Sequence, residues 1–171
     1  ARLGALGGAD GVLVVAGTGS IAVASFDGRA VRTGGWGWPV GDEGSGSWLG
    51  REAAGAVLRQ HDGRDPRSPL LSDAVCRALG AGSPEGIVSM LARTQDQRRL
   101  LARAAPAVFE SAAAGDQAAQ GLLDRAAGEL VRLAEVAAAG HPCAPVSWTG
   151  GLFSAGDALL GPFVRALAPG L

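Results

Sequence analysis

The chain has 171 residues, 15 basic and 16 acidic side chains and a net charge of −1, a length that suits a single domain with one buried core. Near-neutral charge without long like-charged runs leaves no electrostatic footprint for nucleic acid. Lysine is absent, which excludes a P-loop nucleotide site, because a Walker A loop needs its lysine on the phosphates.

Residues Ala1–Leu6 read as the end of a helix stopped by Gly7-Gly8. With no initial methionine, the chain is expected to be a fragment. Val12–Ala16 is a continuous apolar run and predicts a strand buried on both faces. Gly17-Thr18-Gly19 is a tight turn, and Ser20–Phe26, rich in β-branched and aromatic residues, predicts a second strand. Asp27-Gly28 is a strong two-residue hairpin signal, after which Ala30–Thr33 returns as a third strand. Gly17 to Ala22 also fits the G-x-G-x-x-G/A pattern, but a dinucleotide turn must open a helix, so the strand that follows weighs against a Rossmann site.

Gly34–Gly46, GGWGWPVGDEGSG, is loop by composition. From Ser47 the pattern is helical, with Ser45 or Ser47 as N-cap, until HDGRDPRSP breaks it. Leu70–Gly140 is predicted almost wholly helical, interrupted at Gly80–Pro84 and at Gly115-Asp116. Its last helix follows the 3.6-residue period through Ala119, Leu122, Leu123, Ala126, Leu130, Leu133 and Ala137. PVSWTGG predicts a short strand and a glycine turn, and Asp157–Ala168 a closing helix. The order is three strands, a helical section, one strand and a helix, an α/β arrangement with a helical insertion.

Three glycine-rich places are candidate sites, and each has a plainer alternative. Gly17-Thr18-Gly19-Ser20 joins two strands and is expected to point backbone N–H groups and two hydroxyls outward, as an anion-binding concavity does; an ordinary hairpin turn would look similar. In the loop, Trp36 and Trp38 are costly to leave in water. Asp42-Glu43 precede a helix start, where carboxylates favour the helix dipole by about 0.3–1 kcal/mol. A carboxylate beside aromatic surface is equally a means of gripping sugar hydroxyls. Gly150-Gly151 lies after a strand and before a helix, where open α/β sheets receive ligands, or is simply a turn.

Other chemistries find little support. Cys76, Cys143, His61 and His141 stand apart, without metal-ligand spacing; buried free thiols in a reducing cytoplasm and solvated histidines are expected. No G-x-S-x-G elbow occurs. No stretch is long and apolar enough to span a membrane, and no signal-peptide pattern is present.

Taken in order, AGTGSIA, GGWGWPVGDEGSGSWLGREA and TGGLF resemble the BadF/BadG-type ATPase and N-acetylglucosamine kinase family, within the sugar kinase–Hsp70–actin superfamily. The resemblance covers essentially the whole chain, the helical middle matching only in character. It implies an RNase H-like, actin-like ATPase domain whose mixed sheet begins as the three-strand meander. Residues 1–171 would be most of a C-terminal nucleotide- and sugar-binding domain, with a helical insertion at about 62–140 and the first domain missing. The implied activity is ATP-dependent phosphorylation of an amino sugar, N-acetylglucosamine or glucosamine, in the cytoplasm. ATP, Mg²⁺ and the sugar are the implied partners, with no nucleic acid and no membrane; a homodimer stays open.

By the same resemblance, Gly17, Thr18, Gly19 and Ser20 would bind the phosphates. Gly35, Trp36 and Asp42 would contact the sugar, and Gly150 and Gly151 would line the adenosine site. The catalytic aspartate is expected upstream of Ala1, so the isolated chain is expected to be inactive. Two departures stand out. The kinases are expected to carry an amide-bearing residue just after the phosphate turn, where this chain has Ile21. The catalytic aspartate and first phosphate loop are expected to lie upstream of Ala1; the chain is also expected to end before the family's final glycine–alanine helix. An ATPase that activates a dehydratase or reductase is a second reading, although Cys76 and Cys143 do not match the cluster-binding cysteines of such proteins. A non-catalytic sugar sensor or truncated product is a third.

Overall fold

The computed structural model describes residues 10–167. The helix end read over Ala1–Leu6, and Ala168 at the end of the closing helix, lie outside the described residues. β1 (Gly11–Ala16), β2 (Ser20–Phe26) and β3 (Arg29–Gly34) form an antiparallel meander. Asp27 and Gly28 both take positive φ, 49° and 75°, the two-residue hairpin geometry that matches the twist of the strands it joins. β4 (Val146–Thr149) pairs parallel to β1, so the sheet is mixed, in the order β3-β2-β1-β4.

A parallel neighbour needs a long crossover, and helices supply it. They are α1 (Gly46–His61), α2 (Pro69–Leu79), α3 (Pro84–Arg93), α4 (Gln97–Ala102), α5 (Ala105–Ala113) and α6 (Gln117–Ala137); α7 (Asp157–Ala166) follows β4. Ser45, the first of the two N-cap candidates, caps α1, its hydroxyl accepting the Trp48 N–H at 3.2 Å. Asp116 caps α6 through Ala119 N–H at 3.0 Å. Two breaks were not legible in the helical pattern. Asp96 caps α4 by accepting from Arg99 N–H at 2.9 Å. Pro106 sits in the first turn of α5, where its missing N–H and its ring prevent α4 from running on.

One sheet face packs against α6. Val12, Val14, Ala16, Ala22 and Ala24 meet Leu122, Leu123, Ala126 and Leu130 in a single core, all of them buried. Small residues on β2 let the helix approach closely, and each fully buried Val or Leu contributes about 1.5–3 kcal/mol relative to an exposed one. Leu133 is only half-buried, against Gly34 at the end of β3. β1 is buried on both faces along most of its length: Leu13 is buried on the face opposite the core and Val15 half-buried.

The expectation of two buried thiols is corrected: Cys76 in α2 is buried, but Cys143 is exposed, because the turn after α6 swings it outward before β4 begins. Burial, reinforced by the charges of Asp73 and Glu85, raises the Cys76 thiol above its ordinary pKa. Since the thiolate is the reactive form, a disulfide-exchange reagent is expected to label Cys143 rapidly in the native protein. Cys76 should react only on unfolding; equal rates for the two would contradict the fold at α2. Both histidines are exposed, yet each has a neighbour. His61 Nε2 lies 3.0 Å from Glu85 Oε1, and the His141 ring stacks on Phe26 at 3.7 Å.

Candidate functional site

The Gly17–Gly19 turn links two antiparallel strands, so no helix follows its glycines and the dinucleotide pattern is a coincidence of spacing. The turn sits on the N-terminus of α1. The carbonyls of Gly17 and Thr18 accept from Gly46 N–H at 2.8 Å and Ser47 N–H at 3.2 Å, while Gly17 N–H closes onto Gly19 O at 2.9 Å. Among the described residues the N–H groups of Thr18 and Gly19 have no acceptor. Two successive open donors at a surface turn form a concavity suited to an anion. Of the two hydroxyls expected to face outward, only that of Thr18 lies on an exposed residue. Ser20 is buried, and its hydroxyl donates to Glu43 O at 2.6 Å. The register explains the difference: Ser20 starts the inward row that continues through Ala22 and Ala24, since strand side chains alternate.

That bond ties the turn to the Gly34–Gly46 loop, where Asp42 takes a left-handed conformation at φ 59°. Asp42 is 3% exposed. Its Oδ1 accepts from Gly37 N–H at 3.2 Å and its Oδ2 from Arg98 Nη2 at 3.0 Å. Its Oδ2 is also 2.7 Å from where a Cβ on Gly19 would stand, so the carboxylate lies directly against the turn. Gly35, at φ 66°, packs on Ile21, whose Cδ1 would meet a Cβ there at 2.8 Å; the residue in place of the expected amide therefore lines the loop with a methyl. Trp36 contradicts the expectation drawn from its hydrophobicity. It is 74% exposed, carried outward where the backbone of Gly35 and Gly37 holds positive φ, and the Arg32 guanidinium lies 4.8 Å from its ring centre. Trp38 is half-buried.

The third glycine pair closes the other side. Leu152 N–H donates to Ala16 O at 3.1 Å, pinning the Gly150–Leu152 turn to the end of β1. Gly150 has φ 116°, and a Cβ there would run into the Ala16 carbonyl. Between this turn and Gly17–Thr18 lies a cavity of about 410 Å³, walled on its far side by Pro106, Phe109 and Glu110 of α5, a size suited to a small-molecule ligand. A larger cavity of about 710 Å³ beside Arg59, Asp65 and Asp116 contains none of the predicted residues.

The structure thus gathers Gly17, Thr18, Gly19, Asp42 and Gly151 around one place. It leaves Trp36 at the rim and turns Ser20 inward. Arg98, Pro106, Phe109 and Glu110 were missed by sequence reasoning, because all four lie in the helical section, whose pattern announces only a buried face.

A mixed sheet opening as a meander, with a glycine turn at the end of its central strand and a cavity between that turn and a later Gly-Gly, is an α/β domain of the actin-like ATPase fold. Residues 2–164 match the BadF/BadG/BcrA/BcrD ATPase family, and the chain belongs to it. It is 34% identical over 122 residues to the N-acetylmuramic acid/N-acetylglucosamine kinase of Clostridium acetobutylicum, covering 71% of this chain and 40% of that protein. Against the glucosamine kinase GspK of Vibrio cholerae it is 31% identical over 131 residues, covering 76% and 43%. A crystal structure from Chromobacterium violaceum, provisionally described as an N-acetylglucosamine kinase, superposes with a TM-score of 0.79 at 35% identity, over 95% of this chain and 61% of that one. The chain therefore spans about two fifths of the length of the curated relatives it matches.

Proposed function

We propose that residues 1–171 serve as the C-terminal nucleotide- and sugar-binding domain of an ATP-dependent amino-sugar kinase, with the helical section at about 62–140 as an insertion. The observation that carries this is the position of the Gly17–Gly19 turn. One flank borders the 410 Å³ cavity and the other touches Asp42, so a phosphate on the turn would have a nucleoside on one side and an acceptor on the other. The adenosine would lie between Gly150–Gly151 and α5, the phosphates against the Thr18 and Gly19 N–H groups. Sugar hydroxyls would donate to the remaining lone pairs of Asp42, beside Gly35 and the Trp36 ring.

The reaction joins a sugar hydroxyl oxygen to the γ-phosphorus, breaks its bond to the β-phosphate oxygen and releases ADP. The hydroxyl proton goes to a base proposed to lie upstream of Ala1. Catalysis here is positioning and charge stabilisation. No group of three potential metal ligands exists among the described residues, and Asp42 is already paired with Arg98. The described residues thus offer Mg²⁺ no cage, and the ion would enter as part of the ATP–Mg²⁺ substrate.

Coupled ADP release from the full-length protein, with glucosamine, N-acetylglucosamine and related sugars, tests the proposal. Sugar-stimulated release is expected, and its absence with every sugar would overturn it. The isolated chain is expected to fold but to bind ATP–Mg²⁺ and sugar only at millimolar levels or weaker, without turnover. Half a cleft leaves each hydrogen bond in water, where it contributes about 0.5–1.5 kcal/mol net, barely above the cost of immobilising a ligand. Calorimetric titration checks this; micromolar affinity would show the chain to be a complete binding unit.

A further inference from the structure

Arg98 stands in the first turn of α4, 56 residues from Asp42 in sequence, and no motif announces it. Its guanidinium reaches Asp42 Oδ2 at 3.0 Å and lies so close to Gly19 that any side chain there would displace it. The pair is unequal: the Asp42 side chain is 4% exposed and that of Arg98 44%. A buried carboxylate held on one side by Gly37 N–H fixes the guanidinium, while the guanidinium itself faces solvent. Arginine carries five N–H donors in one plane, and among the described residues only Nη2 has an acceptor. The other donors stand at the turn whose Thr18 and Gly19 N–H groups are also without acceptors.

The buried Asp42 carboxylate needs a cationic partner, but the single Nη2 bond supplies it and leaves the other guanidinium donors in solvent at the turn. We infer that Arg98 is a phosphate-binding and positioning residue, oriented by Asp42 so that its free donors and the two turn N–H groups converge on the transferred phosphoryl group. This rests on the kinase reading for the identity of the anion. Guanidinium matches phosphate with paired donors and stays charged at every working pH. Fixed in advance, it would stabilise charge on the equatorial oxygens without reorganising during the reaction. Asp42 would then touch the sugar and, through Arg98, the phosphate, placing acceptor and donor by one side chain.

The test compares Arg98→Ala, Arg98→Gln and Arg98→Lys in the full-length protein with Arg99→Ala, an exposed neighbour on the same helix, as control. Direct titrations use adenosine, ADP and ATP without sugar, followed by steady-state kinetics. Losing a charge-assisted hydrogen bond to the transferred phosphoryl group predicts about 10–100-fold weaker ATP binding in the Ala variant, with a much smaller fall for ADP, which lacks that group. Adenosine affinity should hold within about twofold, since the nucleoside does not reach Arg98. Glutamine can still donate to Asp42 but carries no charge, so an Arg98 that acts only by holding Asp42 through that hydrogen bond would be rescued by Arg98→Gln, whereas a cationic phosphate ligand would not. Arg98→Lys should recover part of the loss, and Arg99→Ala should behave as wild type. Unchanged ATP affinity in Arg98→Ala, an equal fall for adenosine, or full rescue by glutamine would overturn the inference. If the wild type binds ATP but no sugar stimulates ADP release, the kinase reading fails while the ATP-against-adenosine comparison still decides the role of Arg98.

Discussion

Asp42→Asn in the full-length protein is expected to lower kcat/KM for the sugar by about 100-fold or more, with a much smaller fall in stability. The amide keeps the shape and can still accept from Gly37 N–H, now 3.2 Å from Oδ1, so the loop should hold. What disappears is the charge. Hydrogen bonds to an ionised group contribute about 1.5–3 kcal/mol each, and Asp42 would make one or two to sugar hydroxyls while also orienting Arg98. The amide NH₂ would in addition face the guanidinium as donor to donor. Removing one member of a fully buried ion pair costs about 3–5 kcal/mol in stability. With the Arg98 side chain 44% exposed, water screens the stranded cation and the loss should shrink to roughly 1 kcal/mol. Steady-state kinetics beside urea unfolding separate the two effects. A change in kcat/KM of less than about threefold would remove Asp42 from the sugar site.

The second large effect concerns stability and sets two adjacent glycines apart. Gly150→Ala is expected to destabilise the domain by about 3 kcal/mol or more, a large share of the roughly 5–15 kcal/mol that holds a domain folded. Two causes add. At φ 116° an L side chain is strained whatever the space, and the new Cβ would strike the carbonyl of Ala16. That carbonyl belongs to the buried central strand β1 and also accepts the Leu152 N–H, so it cannot yield without disturbing both the core and the turn. Gly151 shows neither feature: a Cβ there meets nothing within 4 Å. Gly151→Ala should therefore leave stability within about 0.5 kcal/mol, as surface substitutions usually do, and act only on the cavity it lines. Denaturation midpoints of the two variants check this, and similar midpoints would contradict the backbone geometry at Gly150.

Much of the local architecture follows from short stretches of sequence. Asp27-Gly28 specifies a two-residue hairpin because both positions need positive φ, and the spacing of Leu122, Leu123, Ala126 and Leu130 specifies the buried face of α6. Ser45 was one of two cap candidates, and Gly17-Thr18-Gly19 reads as a strand–strand turn from the β-branched residues that follow it. Each of these outcomes is decided within about one turn or one hairpin, where backbone sterics and hydrogen-bonding partners are neighbours in the chain.

Other features depend on how distant elements come to lie against one another. Ser20 faces inward because pairing with β1 puts it on the core side, which the serine itself does not announce. Trp36 stays in water although its transfer energy favours burial, because the glycines beside it carry the backbone outward. Cys143 is exposed for a similar reason, set by the turn before β4. Arg98 meets Asp42 only because α4 packs against α1 beside the turn, Gly50 of α1 passing so near the Leu101 carbonyl that it has no room for a side chain. By itself the sequence determined the strands, the main helices, the glycine turns and the family. Only the tertiary structure decided which side chains converge on those turns, since a long-range pair depends on helix crossing and strand register, neither of which any local window contains.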